Sequence, residues 1–172
     1  MIFLDLIDLQ KLRKALLYVI CVVLALWLQT MVLPRVVILG VRPMFLPVVI
    51  VAIGLWEGGV WGGVLGLIAG FWLDLSCSNT RVLFLLLFTA FGFLSGMLAE
   101  FFINRRLLSY LLLCVFALLV TAFCQIVPLW IFRGAAFGPL LRTALLQSLL
   151  AIPLAVPVHY IIRAIAAKQR RQ

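Results

Sequence analysis

The sequence predicts an all-α integral membrane protein with about six transmembrane helices, folded as a single transmembrane domain over residues 1–172. Three observations predict it. Hydrophobic residues make up 67% of the chain and charged residues only 11%, at a mean hydropathy of +1.30, whereas a soluble domain carries roughly 25% charge. So many apolar side chains cannot all be hidden inside a chain of this length, so the outer surface is apolar as well and its solvent is lipid. The charges, finally, fall in the breaks between apolar runs, several of which reach the ~17–25 residues that cross a bilayer.

Taken in order, the charge-free runs are 15–33, 43–56, 58–73, 82–99, 107–132 and 143–162. The first follows Lys11, Arg13 and Lys14, an arrangement that looks like the start of a signal peptide. It lacks a small-x-small cleavage pattern at its end and is long enough to span, so it is read as the first transmembrane helix. Residues 1–10, broken by Asp5 and Asp8, are expected to lie in the interface as a short amphipathic helix with Ile2, Phe3, Leu6 and Leu9 toward lipid. The second and third runs are short. The second either recruits residues 36–41 or is a short helix that begins at Pro43 with Arg42 at the outer membrane edge. The latter is preferred, because a proline in the first turn loses only an N–H that has no partner there. A tight turn at Glu57 then joins the pair as a hairpin. Pro128 in the fifth run, and Pro153 and Pro157 in the sixth, predict kinked helices.

The 14 Lys and Arg against 5 Asp and Glu give a net charge of +9. They form no patch suited to phosphates, so nucleic acid is not expected as a partner; at the ends of spans they face lipid head groups and set topology. With six spans and the N-terminus inside, nine basic residues fall on the inner side (Lys11, Arg13, Lys14, Arg105, Arg106, Arg163, Lys168, Arg170 and Arg171). Five fall outside: Arg35, Arg42, Arg81, Arg133 and Arg142. That asymmetry places both termini in the cytoplasm.

Chemistry-bearing patterns are sparse. Cys21, Cys77, Cys114 and Cys124 show no CxxC spacing, and the single histidine, His159, has no second ligand beside it, so neither a metal site nor a redox pair is indicated. His159 is expected in an interfacial or packed position. There is no Walker loop, no GxSxG and no HExxH. No cofactor and no catalytic activity are expected.

The most specific feature is a glycine series in the third run. Gly58, Gly62, Gly66 and Gly70 recur every four residues, Asp74 takes the next place, and Gly63 thickens the ladder. Residues four apart share a helix face, so this helix carries a groove without side chains into which another backbone fits closely. Gly92 and Gly96 repeat the spacing on the fourth run. Internal helix packing is the preferred reading; docking of a helix from another protein is the sharper one. Acidic residues near the bilayer are costly to bury and are scrutinised for that reason. Glu57 reads as a solvated turn residue. Asp74 anchors a helix end or pairs with Arg81, and Glu100 is expected to pair with Arg105 or Arg106.

The stretch 42–74, RPMFLPVVIVAIGLWEGGVWGGVLGLIAGFWLD, resembles the hallmark region of the rod shape-determining MreD family. Pro43, Gly58, Gly62, Gly66, Gly70 and Asp74 are the matching positions. Residues 83–98, LFLLLFTAFGFLSGML, fit the family's next helix with Gly92 and Gly96 in place. One departure is the loop 76–81, SCSNTR, which lacks the glycine expected in that turn. The resemblance implies a non-enzymatic, multi-pass protein of the bacterial cytoplasmic (inner) membrane, part of the cell-elongation machinery that supports peptidoglycan synthesis and rod shape. Its implied partner is an MreC-like protein with a single span. The peptidoglycan synthase pair, a SEDS glycosyltransferase and a class B penicillin-binding protein, and the actin-like MreB stand around them. The implied fold is similar to that of the substrate-binding subunits of energy-coupling-factor transporters.

That last likeness defines an alternative function, a substrate-binding membrane subunit of a vitamin-type transporter. Those subunits carry an Ala-x-x-x-Ala motif on the first helix, whereas Ala15 and Ala25 here lie ten apart. The polar residues available for a ligand pocket are few, chiefly Gln29, Gln125 and Gln147, and each is more often an interhelical hydrogen bond.

Overall fold

In lipid every backbone N–H and C=O must find its partner inside the protein, and a chain this apolar meets that demand with helices. The computed structural model describes residues 2–35, 43–76, 82–101, 107–133 and 137–170. Among these it is 96% helical and has no strand. The elements are α1 (Ile2–Trp27), α2 (Leu46–Glu57), α3 (Gly59–Ser76), α4 (Leu83–Phe101), α5 (Leu107–Arg133) and α6 (Phe137–Arg170). After α1 the chain widens into one turn of π-helix at Leu28–Val32 and tightens into a 3-10 turn at Leu33–Arg35.

Five helices, all but α2, are long and apolar enough to cross a membrane, one fewer than the six expected. The protein is therefore a multi-pass, all-α membrane protein built around one helix too short to span. At 12 residues, α2 rises only about 18 Å against a hydrocarbon core of about 30 Å. Every residue from Leu46 to Leu55 is buried. The sequence explains this position, since α2 has no polar stripe and a helix that is apolar all round belongs in a core. It touches all five other helices. The five others bury only 22–44% of their spanning windows and present their remaining faces to lipid.

Two expected boundaries are corrected. Helix α2 does not begin at Pro43, which lies buried in the short non-helical segment before it; the proline of its first turn is Pro47. A helix begun at Pro43 would carry Pro47 at a position that needs an i→i−4 bond, whereas a start at Leu46 leaves the missing N–H in the first turn, where it costs nothing. Nor is the N-terminal segment a separate interfacial helix, because α1 runs unbroken from Ile2 to Trp27. No Gly or Pro interrupts residues 2–14, and Leu, Lys, Gln and Arg are all good helix formers. Pro153 and Pro157 both lie on the exposed side of α6, which stays helical through them.

The antiparallel run of α1 and α2 is fixed at both ends. The Phe45 amide, just ahead of α2, donates to Gln29 Oε1 at 2.7 Å. At the other end the Tyr18 hydroxyl donates to Glu57 Oε1 at 2.6 Å. Small buried hydroxyls are satisfied within their own helices, as in Thr121 to the Ala117 carbonyl (2.7 Å) and Ser148 to the Ala144 carbonyl (3.0 Å), a common device where no water is available.

Candidate functional site

The glycines of the ladder lie at the junction of α2, α3 and α4. A methyl group placed on Gly62 would overlap the Gly92 carbonyl oxygen and come within 2.6 Å of the Gly54 Cα. One placed on Gly92 would strike the Gly62 carbonyl, and one on Gly54 would strike both the Gly92 carbonyl and the Ser95 hydroxyl. Three backbones from three helices thus meet with no side chain between them. Ser95 completes the junction by donating to the Gly92 carbonyl at 3.0 Å.

From there the contact runs outward along α3 and α4 in regular antiparallel register. Gly62 faces the carbonyl of Gly92, Gly66 that of Phe88, and Gly70 that of Phe84, so each step of four on α3 is met by a step of four back along α4. A methyl on Gly66 would lie 2.8 Å from the Phe88 carbonyl carbon, and one on Gly70 would lie 2.6 Å from the Leu85 Cα. Toward the other end, Gly96 abuts the backbone of Gly58 and Gly59. The phenyl groups of Phe84 and Phe88 are buried, with ring centroids 5.6 Å apart.

Two members of the series differ from the rest. Gly58 is not a rung but the turn itself, the single residue between α2 and α3, at φ 97° and ψ 170°. Its N–H closes α2 by donating to the Gly54 carbonyl at 2.9 Å, and its carbonyl opens α3 by accepting from Gly62 at 3.1 Å. That backbone conformation favours glycine. Gly63 needs no bareness, since a methyl there would meet only the Phe93 Cβ at an ordinary 3.6 Å. Gly54 was missed by the sequence reading although it sits four residues before Gly58; it continues the same spacing into α2.

The acidic residues act at helix ends. Glu57 is half-buried at the end of α2 and is tied to α1 through Tyr18, a contact that the reading as a solvated turn residue did not contain. Asp74, near the end of α3, accepts from the backbone N–H groups of Phe84 (Oδ1, 3.2 Å) and Leu85 (Oδ2, 2.8 Å). These are first-turn amides of α4, which have no intrahelical partner, so Asp74 caps a neighbouring helix at the positive end of its dipole. Just before α4, Val82 holds a φ of 62°, the one non-glycine residue in the left-handed region among the described residues. Arg42 lies outside the described residues, as do Arg81 and the Arg105–Arg106 pair expected for Glu100. The Glu100 carboxyl lies over the α2–α3 turn, 2.9 Å from a methyl placed on Gly58.

A second cluster had no signal in the sequence. His159 is only 1% exposed and sits among three rings, with centroid separations of 5.0 Å to Tyr110, 5.7 Å to Trp56 and 5.8 Å to Tyr160. Of the two positions expected for it, the packed one is observed. Tyr110 also donates to the Val48 carbonyl at 3.2 Å, linking α5 to the central helix. Residues 56, 110 and 159 come from α2, α5 and α6, and no local pattern joins them. Of the glutamines considered for a ligand pocket, Gln29 holds the Phe45 amide and Gln125 Nε2 reaches Met44 Sδ at 3.4 Å. Among the described residues no group of three His, Cys, Asp or Glu is placed to hold a metal ion. Comparison with protein-family models, with curated proteins and with solved structures finds no match to this chain.

Proposed function

We infer that the chain is a non-catalytic membrane scaffold of the bacterial cell-elongation complex, resembling the MreD family, which binds an MreC-like protein and through it supports the peptidoglycan synthase pair and rod cell shape. The observation that carries this reading is the side-chain-free junction of Gly54, Gly62 and Gly92. It lies in and beside the same stretches, 42–74 and 83–98, on which the resemblance rests. Close backbone packing of this kind makes a rigid three-helix unit without placing any reactive side chain in it, which suits a protein that positions others.

Because α4 fills the glycine face, partner docking falls to the opposite face of α3. Trp61, Ile68, Phe71 and Trp72 are all exposed there, and large aromatic side chains are the usual anchors of an interface. The membrane is the bacterial inner membrane; α2, though short, carries the chain back from the Gln29 level of α1 to the Tyr18 level, so the six helices still alternate in direction and the basic residues, nine against five, favour both termini in the cytoplasm.

Depletion of the protein in a rod-shaped bacterium tests the reading. Rounding of the cells, together with photocrosslinking of an MreC-like protein to a probe at Phe71 or Trp72, is the expected result. Unchanged rod shape after depletion overturns it.

A further inference from the structure

The first half of α6 carries a groove on one side. Gly138, Leu141, Arg142, Leu145, Leu146 and Leu149 line a groove of about 580 Å³. They follow helical spacing along one side of α6, while Ala144, Ser148 and Ala151 on another side are buried. Among the described residues nothing lies within 4 Å of a methyl placed on Gly138, at the groove's upper end.

Its polarity follows the bilayer. The spanning window of α6 starts at Leu141, so Arg142 stands at the membrane edge while Leu145, Leu146 and Leu149 descend into hydrocarbon. Helical side chains lean toward the helix N-terminus, and for α6 that direction is outward, so the Arg142 guanidinium rises to head-group level. Below Arg142 the apolar channel descends to Leu149, about 10 Å along the helix and so within one leaflet of a hydrocarbon core about 30 Å thick. A cation at the surface above an apolar channel within one leaflet matches an anionic amphiphile.

We propose that this groove is a binding site for one acidic phospholipid, with the phosphodiester on Arg142 and an acyl chain along Leu145, Leu146 and Leu149. A second copy of this chain fits the charge poorly. Asp74, the acid at this end of the bundle, already holds two α4 amides. Glu57 is linked to Tyr18 and the Glu100 carboxyl lies over the same α2–α3 turn, both away from the N-terminal end of α6, and Asp5 and Asp8 stand further still, near the start of α1.

The test is competitive retention of phosphatidylglycerol and phosphatidylcholine by the full chain. Protein released from bicelles holding the two lipids in equal amounts is weighed by native mass spectrometry. The wild-type protein is expected to prefer phosphatidylglycerol about fivefold, the scale of one basic residue at a membrane surface. Arg142→Gln abolishes the preference. Leu145→Trp, at a position 52% exposed and so tolerant of size, lowers retention of bound lipid by filling the channel. Arg35→Gln, at an exposed arginine outside the groove, leaves the preference unchanged. Equal retention of the two lipids by the wild type, an undiminished preference in Arg142→Gln, an equal drop in Arg35→Gln, or a dimer that buries the groove would each overturn the proposal.

Discussion

Gly62 on α3 and Gly92 on α4 face each other backbone to backbone, and a methyl group on either would strike the carbonyl of the other. Neighbouring Gly63 has room for a methyl, with its nearest contact at 3.6 Å. Alanine is the better helix former by about 1 kcal/mol, so the two sites should respond with opposite sign. Gly63→Ala is expected to be neutral or to stabilise by up to about 1 kcal/mol. Gly62→Ala must push two backbones apart and should cost about 1–3 kcal/mol, the range for an overpacked core. Reversible unfolding in mixed micelles reads both, and an equal response at the two positions would remove the argument for a side-chain-free junction.

The hydrogen bond from Tyr18 to Glu57 holds α1 against the α2–α3 turn. Only 22% of the spanning window of α1 is buried, so this contact carries weight that packing does not. Tyr18→Phe keeps the ring and removes the donor. It should cost about 0.6 kcal/mol, the average for interhelical hydrogen bonds in a membrane protein, and no more than about 1.7 kcal/mol, the largest. Hydrogen exchange is expected to rise in α1 while α2 and α3 stay protected.

Asp74 replaces the missing partners of the first turn of α4. Asp74→Ala should lower stability by about 1 kcal/mol, within the range for a lost helix cap. Asp74→Asn keeps one acceptor oxygen and should lose about half as much. A charge effect alone would make the two neutral variants equally destabilised and shrink their common loss in high salt, which chemical denaturation at two salt concentrations distinguishes.

The inferred orientation makes its own prediction. In a cysteine-free background, Ser76→Cys at the exposed end of α3 and Ala167→Cys at the exposed end of α6 mark opposite faces of the membrane. A membrane-impermeant maleimide added to intact cells should label the first and not the second. The reverse pattern would invert the topology.

What could be read from the sequence follows the range of the interaction involved. Helix content and the presence of long apolar helices rest on local hydropathy, and these were legible. The glycine face was legible because i, i+4 spacing is a local pattern, yet the same pattern gave no sign that Gly58 is a turn rather than a rung. The sequence reading starts α2 at Pro43 without weighing Pro47, and the contact that holds the Phe45 amide just ahead of the helix joins it to Gln29, 16 residues away, which no local spacing shows. The enclosure of His159 by Trp56 and Tyr110 depends on how three separate helices meet, and no spacing encodes that.

Val82 offers the sharpest test of how the α3–α4 connection is held. A β-branched residue in the left-handed region is strained by about 1–3 kcal/mol and stays there only when its surroundings insist on it. Here they do, because Asp74 grips the amides two and three residues further on. Val82 directly follows the loop 76–81, which lacks the expected glycine. Val82→Gly relieves the strain at the cost of extra freedom in the unfolded chain, about 0.5–1 kcal/mol, so a net gain of about 1 kcal/mol is expected. If Asp74 enforces the conformation, the same substitution made in Asp74→Ala should gain little, since Val82 is then free to relax. The two sites should therefore be non-additive in a double-mutant cycle, and full additivity would mean that Val82 is held by something other than Asp74.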